Sequence, residues 1–121
     1  MTKVVLINAV YGQGSTGTIV RDIEHLCEQS GIECYVACPD PKVREAKRGY
    51  IIGNTFDHKL HAVLARIHGK QAYYSHIPTQ NLIRWINKIK PDIVHLHNLH
   101  SNYIHLNMLL GYLAKQDIKT I

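Results

Sequence analysis

Hydrophobic positions along this chain fall into two kinds of run. The stretch KVVLINAV, residues 3–10, is β-branched, short and almost wholly apolar, which is the pattern of a strand covered on both faces. After a glycine-rich loop the pattern changes. Ile19, Val20, Ile23, Leu26 and Cys27 recur at helical spacing, with Arg21, Asp22, Glu24 and Glu28 between them. This predicts an amphipathic helix over 18–29, capped by Ser15 or Thr16 and stopped by Gly31. IECYVAC, residues 32–38, then predicts a second strand, ended by Pro39-Asp40-Pro41. Together these make a βαβ unit, whose crossover is expected to be right-handed.

The alternation continues. DPKVREAKR, from Asp40 to Arg48, is polar and basic and reads as an exposed connection, and residues 50–53 as a short third strand. Over 56–68 a helix is predicted, with Leu60, Val63, Leu64 and Ile67 on one face and Gly69 behind it. KQAYYSHIP interrupts the periodicity. Thr79 is then expected to cap a helix carrying Leu82, Ile83, Ile86 and Ile89, which ends before Pro91, with Trp85 packing at its edge. DIVHLH over 92–97 reads as a strand, 103–115 as a strongly apolar helix, and DIKTI as the start of another strand. The order is that of an α/β protein with a doubly wound, mostly parallel Rossmann-like sheet and helices on both faces. Its 121 residues fit one domain, 1–121. A final strand begun so late leaves a sheet edge open, through which a homodimer can form.

Composition narrows the classes. A 45% hydrophobic content with mixed charge is that of a folded globular protein and excludes a disordered one. The net charge of +5 favours phosphates, nucleotides, anionic lipid or nucleic acid as partners, or serves solubility alone. Cys27, Cys34 and Cys38 are an odd number in apolar contexts; Cys34 and Cys38 have C-x-x-x-C spacing, with no second cysteine pair to complete a zinc site. Reduced, buried thiols in the cytoplasm are expected. The short apolar run after Lys3 has no small-residue cleavage site behind it and is not a signal peptide. Nor does any stretch reach the roughly 20 apolar residues of a membrane span. Basic positions 42–48 and Lys59, His61, Arg66 and His68 read first as solvated charged faces, which could also meet an anionic membrane surface or nucleic acid. Aromatic residues are not interleaved with them as a nucleic-acid stacking platform requires.

Two clusters carry candidate chemistry. In YGQGSTGTIV, Gly12, Gly14 and Gly17 spell a literal G-x-G-x-x-G. Backbone amides at such a strand-to-helix turn, with the helix dipole behind them, suit a phosphate or carboxylate. A dinucleotide site also needs its first glycine directly after the strand and an acid closing the second strand. Here NAVY lies in between, and Asp40 stands between two prolines. No Gly-Lys-Ser/Thr follows, so the loop is no ATPase P-loop. An anion or sugar-phosphate cradle and a purely structural turn both remain.

The second cluster is HLHNLHSNYIH, with His95, His97, His100 and His105. On a strand His95 and His97 share one face. A zinc site would need three or four ligands, and no carboxylate or cysteine accompanies them. Core histidines are one alternative. The other is a place in a ligand crevice, because His97 and Asn98 end this strand as the glycine loop ends the first. Asn8, a polar residue within the first strand, reads as structural.

KVVLINAVYGQGSTGTIVRDI and PDIVHLHNLHSNYIHLNMLLGYL together resemble the N-terminal domain of bacterial family 4 glycosyltransferases, of the kind that builds capsule, exopolysaccharide and O-antigen. The resemblance spans the chain, more loosely over DPKVREAKRGYIIGN, and is specific for the family, not for one sugar. It implies the N-terminal half of a GT-B fold, two Rossmann-like domains facing across a cleft. Such enzymes transfer sugar from a nucleotide-sugar donor to a saccharide or lipid-linked acceptor, with retention and without a metal or other cofactor. By motif, Gly14, Ser15, Thr16 and Gly17 would form the donor-phosphate loop, and His97 and Asn98 the acceptor side of the cleft. The nucleotide pocket and paired glutamates would lie on a C-terminal domain outside this sequence, so the 121 residues alone are expected to be inactive. The expected location is cytoplasmic, peripheral on the inner face of the membrane. A stand-alone Rossmann or flavodoxin-like nucleotide- or phosphate-binding module is the alternative, and a basic membrane-surface adaptor a third.

Overall fold

The computed structural model describes residues 1–53, 63, 64, 66, 76–99 and 103–121. Five strands, β1 (Lys3–Ile7), β2 (Glu33–Cys38), β3 (Gly49–Ile51), β4 (Ile93–Leu96) and β5 (Lys119–Thr120), form one sheet. All neighbours pair in parallel, in the order β3-β2-β1-β4-β5. The helices are α1 (Gly14–Gln29), α2 (His76–Ile89) and α3 (Leu106–Ala114), with a 3-10 turn at Pro41–Glu45. The chain winds outward from β1 to β3 and then returns to place β4 on the other side of β1. This is an α/β, Rossmann-like arrangement.

The consecutive apolar residues of β1 serve two cores. Val4 and Leu6 join Val20 of α1 with Cys34, Val36, Cys38 and Val43. Val5 and Ile7 join Ala37, Leu82 and Ile86 of α2, Val94, and Leu109 and Leu113 of α3. Strand side chains alternate between faces, so a run apolar at every position is what two covered faces require. Each such side chain, once buried, stabilises the fold by roughly 1.5–3 kcal/mol. Trp85 closes the outer side, stacked on Tyr50 at 4.6 Å and edge-on to Tyr35 at 6.0 Å. The three cysteines are free, and burial pushes the Cys38 thiol up to about 12.

Several boundaries differ from expectation, each for a local reason. β1 ends at Ile7, not Val10; the Asn8 N–H still bonds the Ala37 carbonyl, and its side chain holds the Val10 carbonyl. Helix α1 begins at Gly14, and its N-cap is Gln13 with no side-chain cap bond; Ser15 and Thr16 lie inside its first turn. The expected exposed connection holds the 3-10 turn, capped by Asp40, which buries Val43. Helix α2 starts at His76 rather than after Thr79, since Pro78 falls in the first turn, where its missing N–H costs nothing. Of the helix expected over 56–68, Val63, Leu64 and Arg66 are helical and the rest lies outside the described residues. No helix among the described residues is long and apolar enough to cross a membrane.

Two glycines should respond oppositely to the same change. A Cβ on Gly49 would stand 2.1 Å from the Val43 carbonyl oxygen, whereas one on Gly111, inside α3, meets nothing within 4 Å. Chemical denaturation of Gly49→Ala should show a loss of about 1–3 kcal/mol. For Gly111→Ala it should show a gain approaching about 1 kcal/mol.

Candidate functional site

In a parallel sheet every strand ends on the same edge. Between β1 and β4 the winding direction reverses, and open α/β sheets form their ligand crevice at such a point. Asn8 sits there, fully buried. Its Nδ2 donates to the Val10 carbonyl at 2.8 Å, and its Oδ1 accepts from the Asn98 N–H at 3.1 Å. Its own N–H donates to the Ala37 carbonyl at 3.2 Å, while the His97 N–H reaches the Ile7 carbonyl at 2.9 Å. One side chain thus joins the exits of β1 and β4 to the glycine loop.

That loop is tight. Gly12 and Gly14 have φ of 69° and 66°, a left-handed conformation costly for other residues. The Gly12 N–H donates to the Gly17 carbonyl at 2.8 Å. A Cβ on Gly17 would lie 3.1 Å from both the Gly12 nitrogen and Val10 Cγ2, so the helix approaches the loop closely because position 17 has no side chain. The first turn of α1 has neither a side-chain cap nor an acidic residue. Its amides therefore keep the partial positive charge of a helix start. Arg21 and Lys42 flank Gly12. The structure thus places Gly14, Ser15, Thr16 and Gly17 together at this helix start.

Two carboxylates brace the loop, and only one was foreseeable as a ligand group. Asp40 accepts from Gln13 Nε2 at 2.6 Å and from the Lys42 N–H at 3.0 Å. Both its oxygens are engaged in structure, which argues against a ribose-binding acid. Glu24 is buried, accepting from the Tyr11 hydroxyl at 2.6 Å and the Lys47 N–H at 2.9 Å. Burial, reinforced by this carboxylate, raises the Tyr11 phenol far above its ordinary value. The sequence reading missed this pair, though Glu24 stands four residues after Val20 on the buried stripe of α1.

The four-histidine cluster separates. The His95 and His97 rings lie 4.1 Å apart, on one side as expected. His97 Nε2 is buried without a hydrogen-bond partner among the described residues. Burial, then the neighbouring His95, holds the His97 imidazole below its ordinary value, so it is neutral at pH 7. Asn98 follows, its carbonyl accepting from the Tyr103 hydroxyl at 2.6 Å. His105 instead belongs to α3, whose N-cap it forms, and faces His76 at 4.2 Å. His100 lies outside the described residues. Among the described residues no group of three or more His, Cys, Asp or Glu side chains could hold a metal ion.

The opposite, amino edge carries a groove of about 300 Å³ lined by residues that include Lys90, Asp92, Tyr112 and Asp117. Asp92 there accepts from the Lys3 N–H. Of the basic segment, Lys47 and Arg48 pair with Glu28, and Lys47 foremost holds that carboxyl below its usual range. The chain matches no protein-family model, no curated protein and no solved structure.

Asn8→Asp tests the junction. The new carboxylate would face the Val10 carbonyl in a buried site, which raises its folded pKa; protonated, it can donate as the amide does. A raised acid pKa means stability is kept below the ordinary carboxylate value of about 4 and lost as pH rises toward 7. Urea denaturation should show a deficit of about 2–3 kcal/mol at pH 7, shrinking on acidification, whereas a pH-independent deficit would contradict the assigned bonds.

Proposed function

We propose that this chain is the acceptor-side domain of a retaining GT-B glycosyltransferase. The full enzyme would move a sugar from a nucleotide-sugar to a polysaccharide or lipid-linked acceptor at the inner face of the membrane. Its sheet would be the doubly wound N-terminal half of that fold. The observation that carries this reading is the pairing of two chemistries at the β1–β4 reversal. On one side is an uncapped helix start flanked by cations, suited to a diphosphate. On the other is a buried, neutral imidazole with an unused nitrogen, suited to a hydroxyl.

In this reading the amides of Gly14, Ser15, Thr16 and Gly17 hold donor phosphate oxygens. His97 and Asn98 orient acceptor hydroxyls, and a second domain supplies the nucleotide pocket and glutamates. No metal or cofactor is called for. The strand order alone also suits a stand-alone nucleotide-binding module, and the bonds made by Asp40 count against NAD within that alternative.

Ser15→Asp separates binding from folding. Ser15 is exposed in the first turn of α1, where a carboxylate favours the helix by about 0.3–1 kcal/mol but repels phosphate. Calorimetry with nucleotide-sugars should show binding to the parent chain weakened at least about tenfold in the variant (about 1.4 kcal/mol), while thermal stability is unchanged or higher. Radiolabelled sugar should not be transferred to lipid-linked acceptor by the chain alone. Binding indifferent to Ser15→Asp, tight NAD binding, or transfer by these 121 residues would each overturn the proposal.

A further inference from the structure

We propose that His105 is a proton-sensitive N-cap, which closes α3 only while its ring is neutral and releases the start of that helix on acidification. The geometry is that of a cap in full use. His105 is extended at φ −87° and ψ 99°, and its Nδ1 accepts from the Met108 N–H at 3.1 Å. Its carbonyl accepts the intrahelical bond from Leu109 at 3.2 Å, and its N–H donates to Thr79 Oγ1 of α2 at 2.8 Å.

An imidazole nitrogen accepts only when it carries no proton. Serine, threonine, asparagine or aspartate would cap at any pH near neutrality; histidine makes the cap conditional. The imidazolium form would turn an Nδ1–H toward the Met108 N–H, at the positive end of the helix, where a cation is disfavoured.

The surroundings add to this. From α2 the ring of His76 lies 4.2 Å away, so a second proton-binding group faces the first. The hydroxyl of Thr79 is neutral and already engaged. The first turn of α3 holds no acidic residue, and among the described residues His76 alone acts electrostatically on the ring from outside its own position. Burial, then His76, lowers the His105 pKa from its ordinary 6.5. With the folded value depressed, the unfolded chain binds the proton more readily. Stability is then fully present above 6.5 and falls as pH drops through that value toward the folded one. Two residues upstream stands buried Tyr103, whose hydroxyl holds the Asn98 carbonyl. A frayed helix start therefore adjoins the segment that anchors the end of β4. The device operates whatever the carboxyl edge binds.

Nitrogen-15 NMR of the chain between pH 8 and 5 tests it. The Met108 amide should move with the His105 ring signal, at a common midpoint below 6.5. Corrected for intrinsic exchange, the amides of 107–109 should exchange about fivefold faster at the acidic end, the population equivalent of a typical lost cap. His105→Asn should keep the cap and remove this dependence, and His76→Gln should raise the midpoint. If the chain unfolds as a whole first, the acid midpoint by circular dichroism should be lower in His105→Asn. A Met108 amide that ignores the ring titration, or an acid response unchanged in His105→Asn, would overturn the proposal.

Discussion

The carboxamide of Asn8 is the interaction on which the carboxyl edge depends. A buried amide left unpaired costs about 1–3 kcal/mol, and Asn8 is fully buried just past the end of β1. Here both side-chain atoms are used, one on the Val10 carbonyl and the other on the Asn98 N–H. The bond to Val10 ties the end of β1 to the compact turn that follows. The bond to Asn98 fixes the exit of β4 beside it. Everything proposed for this edge presumes that these two exits keep their spacing.

The two edges of the sheet use their polar groups differently. At the amino edge charges find partners within the chain: Lys47 and Arg48 with Glu28, and the Lys3 N–H with Asp92. At the carboxyl edge two acids among the described residues are absorbed too, Asp40 by Gln13 and Glu24 by Tyr11. Among the described residues, what stays available there is neutral or positive in character, namely the first-turn amides of α1, Lys42 beside Gly12 and the imidazole of His97, with Arg21 donating to the Gly12 carbonyl. Such an edge suits an anion next to hydroxyl groups better than a cation. That asymmetry, more than the net charge of +5, gives the functional reading its physical content.

Local pattern made much of the fold legible. The apolar run of β1 announced a strand covered on both faces, and the alternation of elements announced the Rossmann-like order. What misled was local as well. Ser15 and Thr16 look like caps, but the left-handed Gly12 and Gly14 tighten the turn and start the helix before them. KQAYYSHIP interrupts the periodicity, yet its His76, Ile77 and Pro78 open a helix, with the proline in the first turn where it is tolerated. The five-residue turn at Pro41–Glu45 is too short to show a period. The Asn8–Asn98 and His76–His105 pairs span 90 and 29 residues, and no spacing rule reaches that far. The candidate residues were named from the sequence; the junction that joins them, and the separation of His105 from His97, came from the fold.

The central claim is that the β1–β4 reversal is a ligand edge for a diphosphate. Amide and imidazole chemical shifts of the isotopically labelled chain, followed while inorganic pyrophosphate is added, test it most directly. The account predicts saturable changes concentrated at Gly14, Ser15, Thr16 and Gly17, with a smaller response at His97. Changes spread over the exposed lysines and arginines, or gathered at the amino-edge groove, would contradict it.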